Sequence, residues 1–109
     1  MNTTIERTAL NNLIHNEPYA RKVLPFIKRD YFSDRTERIV FEEIQKFVDK
    51  YNALPNQNSL EVELDSRKDL NEEDYKRVLS VLKSLKSDDD VNFEWLVETT
   101  EQFCKDKAV

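Results

Sequence analysis

The sequence predicts an all-α fold: a single small orthogonal or irregular bundle of about five or six helices, the last two forming a helical hairpin. Three observations carry this. The 109 residues contain no glycine, where average usage would supply roughly eight, and tight β-hairpins lean on glycine for their positive φ. Charged residues make up 36% and hydrophobic ones 39%, a mixture that suits amphipathic helices with solvated outer faces. Apolar residues also recur at helical spacing along most of the chain.

The first helix opens at Thr3-Thr4-Ile5-Glu6, a capping-box pattern in which a Thr accepts from the backbone and Glu6 reaches back. Ile5, Ala9, Leu10, Leu13 and Ile14 form its stripe, and it ends near His15-Asn16. Glu17-Pro18 restarts the chain as a short second helix with Tyr19, Val23 and Leu24 on one side. Pro25 ends that helix, since its ring clashes with the carbonyl four residues back, leaving residues 25–28 as a turn. The central helix starts at Ser33 or Asp34, where Asp34-Arg35-Thr36-Glu37 is a second capping box, with Val40, Ile44, Phe47, Val48 and Tyr51 at helical spacing. Asn52-Ala53-Leu54-Pro55-Asn56 stops it.

A short helix over 58–65 turns Leu60 and Leu64 inward, and Ser66-Arg67-Lys68-Asp69 is a charged link. Asn71 followed by Glu72, Glu73 and Asp74 places a cap and three acids at a helix N-terminus, where the dipole favours them. The helix that follows carries Tyr75, Val78, Leu79, Val81, Leu82 and Leu85 over an arc of roughly 160°, wider than a core-facing stripe needs, which predicts contact on two sides. After Ser87-Asp88-Asp89-Asp90, a last helix starts near Asn92 with Phe93, Leu96, Val97, Thr100, Phe103 and Cys104 on one face and Trp95 nearly opposite. No repeat, low-complexity tract or interdomain linker interrupts residues 1–109, which read as a single domain.

Several function classes drop out. Without glycine neither phosphate cradle, GxxxxGK[ST] or GxGxxG, can be present, so no nucleotide-dependent catalysis is expected of these residues. No apolar run approaches the ~20 residues of a bilayer span, and the N-terminus lacks the basic-then-apolar layout of a signal peptide. A cytoplasmic location and no membrane contact are therefore expected. Net charge is −5, which repels nucleic acid unless a local basic patch overrides it.

Individual candidates read as structural. Asp88-Asp89-Asp90 lacks the alternating ligands and turn glycine of a calcium loop. His15 has no histidine or cysteine nearby in sequence, so no metal set is expected. Cys104 stands on the apolar stripe as a core residue. Lys28-Arg29 and Arg35 with Arg38, beside Tyr31-Phe32, make a mild basic and aromatic concentration of the kind that binds single strands. The same aromatic pair also serves as a staple into the next helix.

The order of the segments carries a resemblance. Leu10-Asn11-Asn12-Leu13-Ile14, then residues 23–32 ending in Asp30-Tyr31-Phe32, then Arg38-Ile39-Val40-Phe41-Glu42-Glu43-Ile44, then Leu54-Pro55-Asn56 ahead of residues 59–64, resembles the N-terminal domain of DnaB-type replicative DNA helicases. Residues 92–101 with Phe103 and Ala108 bring it closer to the helicases of T-even-like phages. Such helicases continue into a linker and a RecA-like motor with the phosphate loop, and neither occurs before Val109. The resemblance therefore implies a non-catalytic N-terminal collar domain of a longer protein, with ATP and Mg needed only by the motor and no cofactor here. It further implies self-association, as a hexamer at full length, a surface for primase in the primosome, and no nucleic acid contact by this domain.

The expected interface comprises Tyr75, Val78, Val81, Leu82 and Leu85 on the wide stripe with Trp95, Thr99 and Gln102 on the last helix. Trp95 is the kind of off-stripe aromatic that anchors interfaces. Two readings compete: a free-standing helical nucleic-acid-binding or adaptor module using residues 28–38, and a carboxylate-metal enzyme built on the acidic loops. Salt-dependent binding would mark the first and cation-dependent melting the second.

Overall fold

Five helices begin at an asparagine or aspartate whose side chain accepts an amide proton from the first turn, and these caps divide the chain. The computed structural model describes residues 3–86 and 91–108. Among them lie α1 (Thr3–His15), α2 (Glu17–Val23), α3 (Arg35–Tyr51), α4 (Gln57–Asp65), α5 (Glu72–Ser84) and α6 (Phe93–Lys107), with a 3-10 turn over Arg29–Tyr31 and no strand. Asn16 receives the Tyr19 amide at 3.2 Å, Asp34 that of Glu37 at 3.3 Å, Asn56 that of Ser59 at 2.8 Å, Asn71 that of Asp74 at 2.7 Å and Asn92 that of Trp95 at 2.9 Å. Each such cap is worth on the order of 1 kcal/mol. At the other end of α3, where glycine is the usual terminator, Asn52 takes the left-handed conformation with φ 53°, the residue type that tolerates it best after glycine.

The helices pack as two groups of three. In one, α1 lies against α2, and α6 packs on both; in the other, α3, α4 and α5 pack mutually, and the α1–α3 contact joins the groups. One apolar core runs through both. Its aromatic joint is Phe32, fully buried, tilted against Phe41 of α3 with centroids 5.1 Å apart and edge-on to Phe103 of α6 at 6.2 Å. The first half of α3 is covered nearly all round, with Ile39, Val40, Phe41 and Ile44 buried, whereas its last turn leaves Tyr51 half exposed. Pro25 acts as expected: the helix before it ends at Val23, whose carbonyl accepts from Phe26 and Ile27 in the turn.

Two expectations need correction. The last two helices do not form a hairpin, because α5 is covered by α3 and α4 while α6 docks on α1 and α2. Phe93, expected on the inner stripe of α6, is 39% exposed, and burial on that helix begins at Leu96. The side chains of Thr3 and Thr4 lie outside the described residues. Glu6, the other half of the expected capping box, instead accepts from Ser33.

A polar bond inside the first group orients α6. The Thr100 hydroxyl donates to the Leu96 carbonyl at 2.7 Å, so at 2.8 Å the buried Tyr19 hydroxyl donates to Thr100 Oγ1. Burial pushes the Tyr19 phenol well above its ordinary range, opposed by the bond to Thr100, so it stays a neutral donor. Removing the acceptor strands a buried hydroxyl. Thr100→Val is therefore expected to cost about 1–3 kcal/mol in urea unfolding, and Tyr19→Phe only about 1 kcal/mol; equal losses would contradict the donor assignment.

Candidate functional site

The residues expected to form an interface divide between inside and outside. On α5 and at its C-cap, Val78, Leu82 and Leu85 are each only 2% exposed, sealed in this chain's own core. The wide stripe is real, but its two sides are taken by α3 and α4 of the same chain, so these three residues are not available to a partner. Tyr75 and Val81 are half-buried and pack against that core. The Tyr75 hydroxyl donates to the Asp65 carboxylate of α4, and this bond with burial raises the phenol pKa. The end of the helix is tied down as well: the Gln57 amide donates to the carbonyls of Leu82 at 2.9 Å and Leu85 at 2.7 Å.

On α6 the outer face stays open. Trp95 is 53% exposed, Thr99 is half-buried and Gln102 is exposed, a row at i, i+4 and i+7. Leu96, Val97, Thr100, Phe103 and Cys104 of the same helix face inward. An exposed tryptophan on a helix whose other face is already buried is a surface suited to a protein contact.

A third feature is only partly visible in the linear sequence. Arg29, Arg35 and Arg38 meet Lys46 of α3 and Arg67 and Lys68 of the α4–α5 link around a groove of about 900 Å³, with Glu42 and Asp69 in its wall. The sequence shows the first three as a mild concentration; only the packing of α3 against α4 and α5 adds the others. Arg67 anchors the floor, its Nη2 2.6 Å from Asp69 and its Nη1 within 3.6 Å of Glu42 and Glu43. The bond from Arg67 holds the Asp69 carboxyl down at about 2, and Arg67 itself is raised chiefly by that bond. Tyr31 and Phe32, which the single-strand reading would use as stacking platforms, are buried in the core.

These surfaces belong to a known domain type. The model of the DnaB-like helicase N-terminal domain matches residues 1–102. The chain belongs to that family. Over 100 residues, 92% of its length, it is also 29% identical to a DnaB-like replicative helicase of Enterobacteria phage T4, and it spans 21% of that relative's length. The segments that carried the resemblance are largely core of this DnaB-like domain: Leu10, Leu13, Ile14, Phe32, Ile39, Phe41 and Ile44 are all buried. No group of three or more potential metal ligands occurs among the described residues, and Asp88-Asp89-Asp90 lie outside them. His15 is exposed at the end of α1, and no helix is long and apolar enough to cross a membrane among the described residues. Cys104 is buried and free, its thiol pushed up to about 11 by burial and by Glu101, which suits the core role expected of it.

The DnaB-like domain also buries two glutamates where α1 meets α3. Glu6 accepts from the Ser33 amide at 2.9 Å and from its hydroxyl, and Glu37 pairs with Arg7 Nε at 2.9 Å. Glu37 Oε1 has no hydrogen-bond partner among the described residues. Desolvation raises the Glu37 pKa above its ordinary 4.5, Arg7 opposes the shift, and Glu6 and Asp34 add to it. A carboxyl whose folded pKa is raised stabilises the fold below its unfolded pKa and loses that contribution as pH rises through the folded value. Glu37→Gln mimics the protonated form. The variant is thus expected to match the parent near pH 4 and to gain on it towards pH 7 in urea midpoints; a variant that loses ground with rising pH would show that the Arg7 pair dominates.

Proposed function

We propose that this chain is the non-catalytic assembly and docking domain of a hexameric replicative DNA helicase, acting at the N-terminal collar. In this reading residues 1–109 are one domain of a longer protein, and ATP and magnesium are handled by a motor domain beyond them. The single observation that carries the reading is the family match over nearly the whole chain, since the phage relative it resembles is named a replicative helicase and is matched over only 21% of its length. Within the domain, the open row on α6 is the part suited to association. Ring subunits meet neighbours through fixed patches, and Trp95 offers an aromatic anchor beside the polar Thr99 and Gln102. Tyr75 and Val81 contribute at most their exposed edges, and primase is the further partner that this collar would receive.

Sedimentation velocity over a concentration series tests the association. The parent chain is expected to form dimers or larger species reversibly, and Trp95→Ala to weaken them at least about tenfold. A parent that stays monomeric at millimolar concentration, or a Trp95→Ala variant that associates as well as the parent, would overturn the α6 assignment.

A further inference from the structure

The groove beside α3 has a charge opposite to that of the molecule. The chain carries 22 acids against 17 Lys and Arg, yet the groove wall holds six cations against Glu42 and Asp69. Most of these cations have carboxylate neighbours: Arg29 pairs with Glu42 at 2.7 Å, Arg35 with Asp74 at 2.7 Å and Lys46 with Glu43 at 3.2 Å. The cations of those pairs are 53%, 60% and 67% exposed while their carboxylates are only 20%, 18% and 4% exposed, so the pairs hold the cations in place and leave their outer faces open to a ligand. Arg38 and Lys68 differ, because neither has a carboxylate partner among the described residues. Arg38 is held in place by the Phe32 carbonyl at 3.1 Å and the Ser33 carbonyl at 3.2 Å, which orient its guanidinium without neutralising it.

We infer that this groove is a docking site for a short acidic peptide segment of a protein partner. Carboxylates of the segment would take Arg38 and Lys68 and compete for the exposed faces of Arg35 and Arg29, since the guanidinium fork matches a carboxylate. Three observations favour a peptide over nucleic acid. Glu42 and Asp69 in the wall repel a phosphate chain but can accept from peptide N–H groups. No aromatic residue lines the groove, and the nearest in sequence, Tyr31 and Phe32, are buried, so bases would have nothing to stack on. The net charge of −5 also opposes a long polyanion more than a short segment lying inside the groove. A volume of about 900 Å³ suits a few residues.

Fluorescence anisotropy at low salt tests this with three labelled probes: a peptide alternating glutamate with alanine, the same peptide with glutamine for glutamate, and an oligothymidylate of equal charge. The glutamate peptide is expected to bind saturably and to weaken as salt screens the groove, while the glutamine peptide does not bind. Lys68→Glu is expected to weaken binding at least about tenfold, and Lys105→Glu on α6, away from the groove, to leave it unchanged. Arg38→Gln should weaken binding as well, provided its melting curve matches the parent. Absence of saturable binding, equal binding of the glutamine peptide, or a Lys68→Glu variant that binds like the parent would overturn the proposal. Tighter binding of the oligothymidylate would assign the groove to nucleic acid instead and overturn it equally.

Discussion

Among the described residues, two of the three buried glutamates find their donors across the α1–α3 seam, the contact that joins the two groups of helices. Glu6 and Glu37 are each 1% exposed, and a buried carboxylate without partners is among the costliest groups a fold can contain. Glu6 closes on Ser33, just ahead of α3, and Glu37 in the first turn of α3 closes on Arg7 of α1. Arg7 reaches further, donating to the Ser84 hydroxyl at the end of α5 at 3.2 Å, and Asn11 of α1 accepts from the Lys86 amide. The first helix therefore fixes both ends of the second group of three. With α1 committed to α3 along this seam, α2 and α6 are left to cover its remaining apolar face, and α5 and α6 end up on different neighbours.

That geometry explains which parts of the fold were legible in the sequence. Helix starts were readable because asparagine and aspartate caps and proline breaks act over three or four residues; Asp34, Asn71 and Asn92 sit at the expected boundaries. Stripe direction was mostly readable too, as Leu60 with Leu64 and Leu96 with Thr100 face inward. Pairing between helices was not. The broad apolar arc of α5 shows that two surfaces cover it, but periodicity carries no label for whose surfaces those are, and both proved to be intramolecular. Glu6 illustrates the same limit: a capping box and a long-range acceptor look identical in sequence, and only the position of Ser33 separates them.

The candidate surfaces follow from what folding uses up. Once α3 and α4 cover α5, the apolar residues of that helix are consumed by stability, and the contact potential of the domain shifts to α6. Trp95 escaped the inner stripe by about half a helical turn, which made it visible from sequence alone. The basic groove was only partly visible, because Arg67 and Lys68 are about thirty residues from Arg38 in the chain and look like part of a charged link until α4 folds back on α3. An acidic domain can thus carry an exposed tryptophan and a basic groove, chemically different and built on different helices.

Because Trp95 is the single tryptophan, its own fluorescence reads the α6 face without a label, and acrylamide quenching across a dilution series measures its exposure directly. If subunits meet through this face, emission from the dilute chain should lie at the wavelength of a solvated indole and quench freely. In the concentrated chain it should shift to the blue and become protected, in step with the sedimentation-defined association. An indole that quenches equally at every concentration while the chain associates would contradict the central claim that α6, rather than α5, carries the contact.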